Sequence, residues 1–256
     1  MARLLKFEFR KLFFQKSFYI CGGISLILMI ATMVISHMAS LMIAEGQLLN
    51  PANDGVKAAV SAVDLSSIQL ILPIFLPLYV CVDFTQGTIK NILARGFSRS
   101  QVLWSKYIVC QVAGLSIYAI HFVFALCLGS LLGGLGQWSL KALASLAVQT
   151  LVLTASISFY FMLCMLFQTM GASISLGILL PSVGGTILNV TQLLTEAYGM
   201  DLKIDLSYIS VTGLTGKISD LGSFHKSDLI SCLVVSLIYL FLTCLFSCVR
   251  MGRKEY

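Results

Sequence analysis

Long apolar runs separated by short polar breaks dominate this chain from its second decade of residues to its last. A helix needs about 20 apolar residues to cross a hydrocarbon core. Six windows reach or approach that length: 18–42, 65–82, 107–132, 142–167, 172–190 and 229–249. In lipid every backbone N–H and C=O must be satisfied internally, which leaves helices or a closed barrel, and these runs are too long for barrel strands. The pattern therefore predicts an all-α membrane protein, with residues 1–256 as a single transmembrane domain of six helices. Residues 1–17 are polar enough to precede the first span as an interfacial helix. That first run exceeds the apolar core of a cleavable leader, so it is expected to be a retained span.

Composition agrees with the pattern. Charged residues make up 11% of the chain, against about 25% in soluble domains. The net charge of +6 would suit nucleic acid if it were gathered in a patch, but its distribution follows topology instead. Twelve of the seventeen basic residues fall in the N-terminal segment (Arg3, Lys6, Arg10, Lys11, Lys16), in the loop after the second span (Lys90, Arg95, Arg99, Lys106) and in the tail (Arg250, Arg253, Lys254). The other sides hold only Lys57, Lys141, Lys203, Lys217 and Lys226. By the positive-inside rule both termini face the cytoplasm, as an even number of spans requires. The expected place is the plasma membrane of a bacterium, multi-pass, with no nucleic-acid partner.

Within this frame few residues invite chemistry. Leu5, Phe9 and Leu12 share one face of the N-terminal helix while Arg3, Lys6 and Arg10 share another, although Phe7 and Phe14 fall among the basic residues. Pro73 and Pro77 in the second span, and Pro181 in the fifth, are helix breakers that hint at moving or cavity-lining helices; neighbouring helices also tolerate such kinks. Gly129 and Gly133 suit close packing. Gln111, His121 and Gln149 are the polar residues at depth, and His121 has no acidic partner at its level, which speaks against an ion-coupled carrier. The eight cysteines lie in apolar runs without zinc spacing, so neither disulfides nor a metal site is expected. Residues 45–64, with their "NPANDG" turn, and 191–227 read as loops on the outer side.

Catalytic motifs are missing from the sequence. "GLTGKIS" at 213–219 falls short of a phosphate-binding loop, and no paired catalytic carboxylates, HExxH, GxSxG or GxGxxG are found. The chain is not expected to be an enzyme or to hold a cofactor.

The polar insert "VDFTQGTIKNILARGFSRSQVLWSK" (82–106) is the most informative stretch. Asp83 marks the end of span two. From Gln86 the residues read as a short helix, in which Ile89, Ile92, Leu93 and Phe97 fall within about 140° of arc. Asn91 and Arg95 lie opposite, with Lys90 at the boundary. Gly96 breaks this helix, and Ser98 with Gln101 forms a capping box for a new helix entering span three. Such punctuation holds a shape, which a slack positive-inside loop would not need.

Asp83, Gly87-Thr88-Ile89-Lys90-Asn91, Gly96, Ser98-Arg99 and Lys106 together resemble the cytoplasmic loop of type-2 ATP-binding-cassette (ABC) exporter permeases, whose span two ends on an acidic residue, followed by a "GTIKN" helix, a "G-x-S-R" turn and a lysine opening span three. Six spans, a basic N-terminal helix and a long outer loop before span six fit the same family. The chain looks most similar to its small members that export, or confer immunity to, bacteriocins, lantibiotics and similar amphipathic peptides.

The resemblance implies a type-2 ABC exporter permease fold and a coupling helix at 86–94 within a cytoplasmic loop at 84–105. It implies two separate ATPase subunits carrying ATP and Mg, a second permease copy or sister permease, surrounding membrane lipid and a peptide cargo. The coupling residues would be Asp83, Gln86, Gly87, Thr88, Ile89, Lys90, Asn91, Leu93, Arg95, Ser98 and Arg99, with Gln168 and Thr169 as a second contact. An ATP-independent channel or secondary carrier, and an ABC permease for lipid or drug cargo, remain alternatives.

Overall fold

A computed structural model describes residues 1–44, 55–60, 68–197 and 226–253. Among these residues every regular element is an α-helix. In chain order they are α1 (Ala2–Phe14), α2 (Lys16–Ala44), α3 (Gly55–Val60), α4 (Ile68–Thr85), α5 (Thr88–Ala94), α6 (Arg99–Gly133), α7 (Leu140–Phe167), α8 (Met170–Ala197) and α9 (Lys226–Arg253). Five of them, α2, α4, α6, α7 and α8, contain stretches long and apolar enough to cross a membrane, and α9 contributes a shorter apolar stretch at Ser231–Ser247. The chain is an all-α membrane protein.

Direction is fixed by cross-helix contacts. Gln111 of α6 donates to the Thr154 carbonyl at 3.1 Å and to Ser158 Oγ at 2.9 Å, while Tyr118 donates to Gln149 Oε1 at 3.2 Å. Rising numbers on α6 meet falling numbers on α7, so the two are antiparallel. The same logic sets α8 against α4: Cys81 Sγ lies 3.5 Å from Ser173 Oγ, and a Cβ on Gly177 would stand 2.8 Å from Pro73 Cβ. Tyr107 meets the Cys244 thiol and Phe159 meets Tyr239 with ring centroids 6.4 Å apart, which packs α9 against α6 and α7. The ends of α4 and α7 and the starts of α2, α6 and α8 therefore gather at one end of the bundle, together with α1 and α5.

Helices in lipid gain nothing from hiding apolar side chains from one another, so close packing and hydrogen bonds hold them together. The tightly packed centre is Phe75, Leu76, Tyr79 and Val80 of α4 against Val109 and Ala113 of α6 and Ile157, Phe161 and Cys164 of α7. Most of α8 instead presents its apolar residues outward, among them Leu179, Val183, Ile187 and Leu193.

Several expected boundaries move. The N-terminal helix ends at Phe14, and Gln15 adopts an extended backbone before α2 begins. The capped helix starting at Arg99 is continuous with span three, which makes α6 thirty-five residues long. The fifth run continues helically to Ala197, past the expected end at 190. The 45–64 segment, expected as an outer loop, contains α3, whose Val56, Ala58, Ala59 and Val60 are buried. It docks on α6 at Gly129, where a Cβ would stand 2.7 Å from that of Ala58, and its Val60 carbonyl accepts from the Gln149 amide. Close approach at Gly129 follows the packing expectation, though its neighbour is this short helix. The "GLTGKIS" stretch and most of 191–227 lie outside the described residues.

Candidate functional site at the charged end of the bundle

The turn Gln86–Gly87 separates α4 from α5. Gly87 takes φ +67° and Gly96 φ +86°, left-handed conformations that glycine adopts without a Cβ clash. The short helix therefore begins at Thr88, two residues later than expected, because the left-handed Gly87 interrupts helical winding. Ile89 and Ile92 are buried, and Leu93 and Phe97 are half-buried, against the bundle. Lys90, Asn91, Ala94 and Arg95 are exposed. The apolar arc expected from the sequence is thus the side that packs. Ser98 then accepts from the Gln101 N–H at 3.3 Å while Gln101 Oε1 accepts from the Ser98 N–H at 3.2 Å, completing the capping box. Arg99, half-buried, is the first residue of α6.

The α7–α8 turn arrives at the same end. Gln168 adopts φ +57° and Thr169 is exposed; Met170 already belongs to α8, so this turn is two residues long. The proline candidates lie elsewhere. Pro73 and Pro77 are buried within α4, Pro73 against Gly177, and Pro181 lies one turn beyond Gly177 in α8.

Asp83 differs from its expected neighbours on α5. It is 2% exposed and faces inward, so its carboxylate does not reach an outside partner directly. One of its oxygens pairs with Lys11 of α1 and the other with Lys106 of α6. Lys106, itself fully buried, also donates to Glu8 Oε1 at 2.9 Å. Tyr79 donates to Glu8 Oε2 at 2.8 Å, and both ammonium groups lie over its ring, at 5.2 Å for Lys11 and 5.7 Å for Lys106. Two carboxylates and two ammoniums balance, which is the condition for burying them together. The group ties α1, α4 and α6 to one another.

Residues 24–256 match the family described as "Protein of unknown function (DUF2705)". The chain belongs to that family. No curated protein matches it. The matched span begins within α2 and includes Asp83, Lys106, α5 and the α7–α8 turn; α1, with Glu8 and Lys11, precedes it.

Glu8 is the residue that sequence reasoning missed. Leu4, Glu8 and Leu12 form the buried stripe of α1, with Leu5 and Phe9 half-buried beside it. A carboxylate between two leucines at four-residue spacing, in a helix otherwise basic, was the available signal.

A second feature sits between α1 and α5. Arg3, Leu4 and Phe7 face Thr88, Asn91, Ile92, Arg95 and Phe97 across a cleft of about 370 Å³.

Proposed function

We propose that this chain is the permease subunit of an ATP-driven exporter with a type-2 ABC permease fold, moving amphipathic peptides out of the cytoplasm or the membrane. On this reading α9 is the sixth span, both termini face the cytoplasm of a bacterium, and separate ATPase subunits dock on the charged end. The observation that carries the proposal is α5: a seven-residue helix, set off by two left-handed glycines and a capping box, with its apolar side fixed to the bundle and Lys90 and Ala94 turned outward. The α7–α8 turn at the same end supports a second contact at Gln168 and Thr169.

The mechanism that suits this arrangement is mechanical. An ATPase pair binds one conformation of the permease better when closed on ATP, and that difference shifts the bundle between inward- and outward-facing states. Asp83 transmits the load: it is buried in the ion group that joins the base of α4 to α1 and α6. ATP and Mg belong to the partner; a second permease copy or a sister permease completes the pathway.

The test is ATP-dependent export of an amphipathic peptide from cells carrying the chain with its cognate ATPase, with and without Lys90→Glu/Ala94→Glu. The reading requires that the variant reach the membrane at wild-type level, lose ATPase association and lose export. Export that persists in the variant, or that runs on an ion gradient without ATP, sinks it. The second outcome would favour an ATP-independent carrier, a reading that draws on the buried Glu8–Lys106–Asp83 group as an ionisable site.

A further inference from the structure

The cleft between α1 and α5 has a lining of a specific kind. Arg3 and Arg95 approach it from different helices, and no carboxylate is among its lining residues. Neither arginine is ion-paired among the described residues. Thr88 and Asn91 add a hydroxyl and an amide, and Leu4, Phe7, Ile92 and Phe97 make the remaining wall apolar. Its volume of about 370 Å³ equals roughly a dozen waters of bulk liquid, enough for a charged headgroup.

The outer face of α1 continues this chemistry. At 100° per residue Arg3, Phe7, Arg10 and Phe14 fall within about 60° of arc. Phe7 is 52% and Phe14 76% exposed, and the Arg10 guanidinium lies 5.6 Å from the Phe14 ring centroid. These two phenylalanines broke the simple amphipathic pattern of α1. In an aqueous loop they would be uncompensated; at a bilayer surface, aromatic rings sit at headgroup level while arginines reach phosphates. We propose that the cleft binds the headgroup of one anionic phospholipid, with Arg3 and Arg95 on its phosphate and the acyl chains running along Phe7.

The site takes Thr88, Asn91 and Arg95 from the expected coupling set but leaves free the outward Lys90 and Ala94, on which the transport reading rests. Thr88, Asn91, Ile92 and Arg95 span about 100° of α5, and Lys90 and Ala94 lie more than about 100° from the centre of that arc. The inference requires only that α1 lie on a membrane, so it can fail while the transport reading stands, or the reverse.

The experiment is native mass spectrometry of the full chain in detergent, titrated with phosphatidylglycerol or phosphatidylcholine. One phosphatidylglycerol should be retained in preference to phosphatidylcholine. Arg3→Gln/Arg95→Gln should weaken that retention roughly ten-fold or more, as expected for losing two charge-assisted contacts. Lys6→Gln/Lys90→Gln, which removes the same charge elsewhere, should change it less than about two-fold on the same scale. Equal affinity for the two lipids on the wild-type chain overturns the proposal, and this arm needs no variant to fold. Equal loss in both variants also overturns it, because binding would then follow diffuse charge. Displacement of the lipid by inorganic phosphate at comparable concentration would mark a free-phosphate site and overturn it too.

Discussion

Replacing Lys106 with methionine keeps the length of the side chain and removes its charge from a site with no exposure. Asp83 would keep the ammonium of Lys11, whose side chain is one-quarter exposed, while Glu8 would lose its only ion pair among the described residues. Glu8 would keep the Tyr79 hydroxyl but no counter-charge. Breaking a buried ion pair by deleting one member costs about 3–5 kcal/mol, because the abandoned charge has neither water nor a counter-charge. Glu8→Gln/Lys106→Met removes the abandoned charge and leaves the Lys11–Asp83 pair intact, so it should lie within about 1–2 kcal/mol of wild type. The double variant should therefore be about 1–4 kcal/mol more stable than Lys106→Met alone. Reversible unfolding by SDS in mixed micelles, followed by helical circular dichroism, measures both variants. Amide exchange across residues 2–14 reports whether α1 detaches first in the single variant. A Lys106→Met loss below about 1 kcal/mol, or a double variant as unstable as the single one, would refute the reasoning, since neither outcome is compatible with an uncompensated buried charge.

Three further outcomes follow from individual contacts. Tyr79→Phe deletes the hydroxyl on Glu8 without changing ring packing and should lower stability by about 1–1.5 kcal/mol, read by the same titration. Gly129→Leu forces a side chain into the contact with Gly55 and Ala58 and should cost about 1–3 kcal/mol, with faster exchange of the α3 amides at 55–60 as its local signature. Ser98→Ala removes the acceptor for the Gln101 N–H, at about 1 kcal/mol, and should speed exchange of that amide while leaving mid-α6 amides protected.

What could be seen in advance divides by sequence separation. The face, the flanking glycines and the cap of α5 are written within twenty residues, because helical period and capping chemistry are local. The ion group is not local: Glu8 and Lys106 are 98 residues apart. Each alone looks ordinary, Glu8 as a solvated residue of a basic helix and Lys106 as a positive flank of span three. Only packing of α1 across α6 makes them partners, and the expected buried face of α1 accordingly omitted its one carboxylate. The 45–64 segment misled for the converse reason. Its glycine and turn residues read as a loop, but Gly55 and Ala58 are small so that α3 can lie directly on Gly129. The long extension of α6 down to Arg99 was implied by the capping box, though span length alone placed the start of the crossing at 107.

The transport account depends on what meets the outward face of α5. A photo-cross-linking residue placed at Lys90 in the full chain, activated in membranes of the producing cells, tests this most directly. The account predicts an adduct that mass spectrometry identifies as an ATP-hydrolysing subunit, lost when Ala94 is changed to Glu. Adducts with lipid alone at Lys90, formed while the chain still exports its peptide, would contradict it.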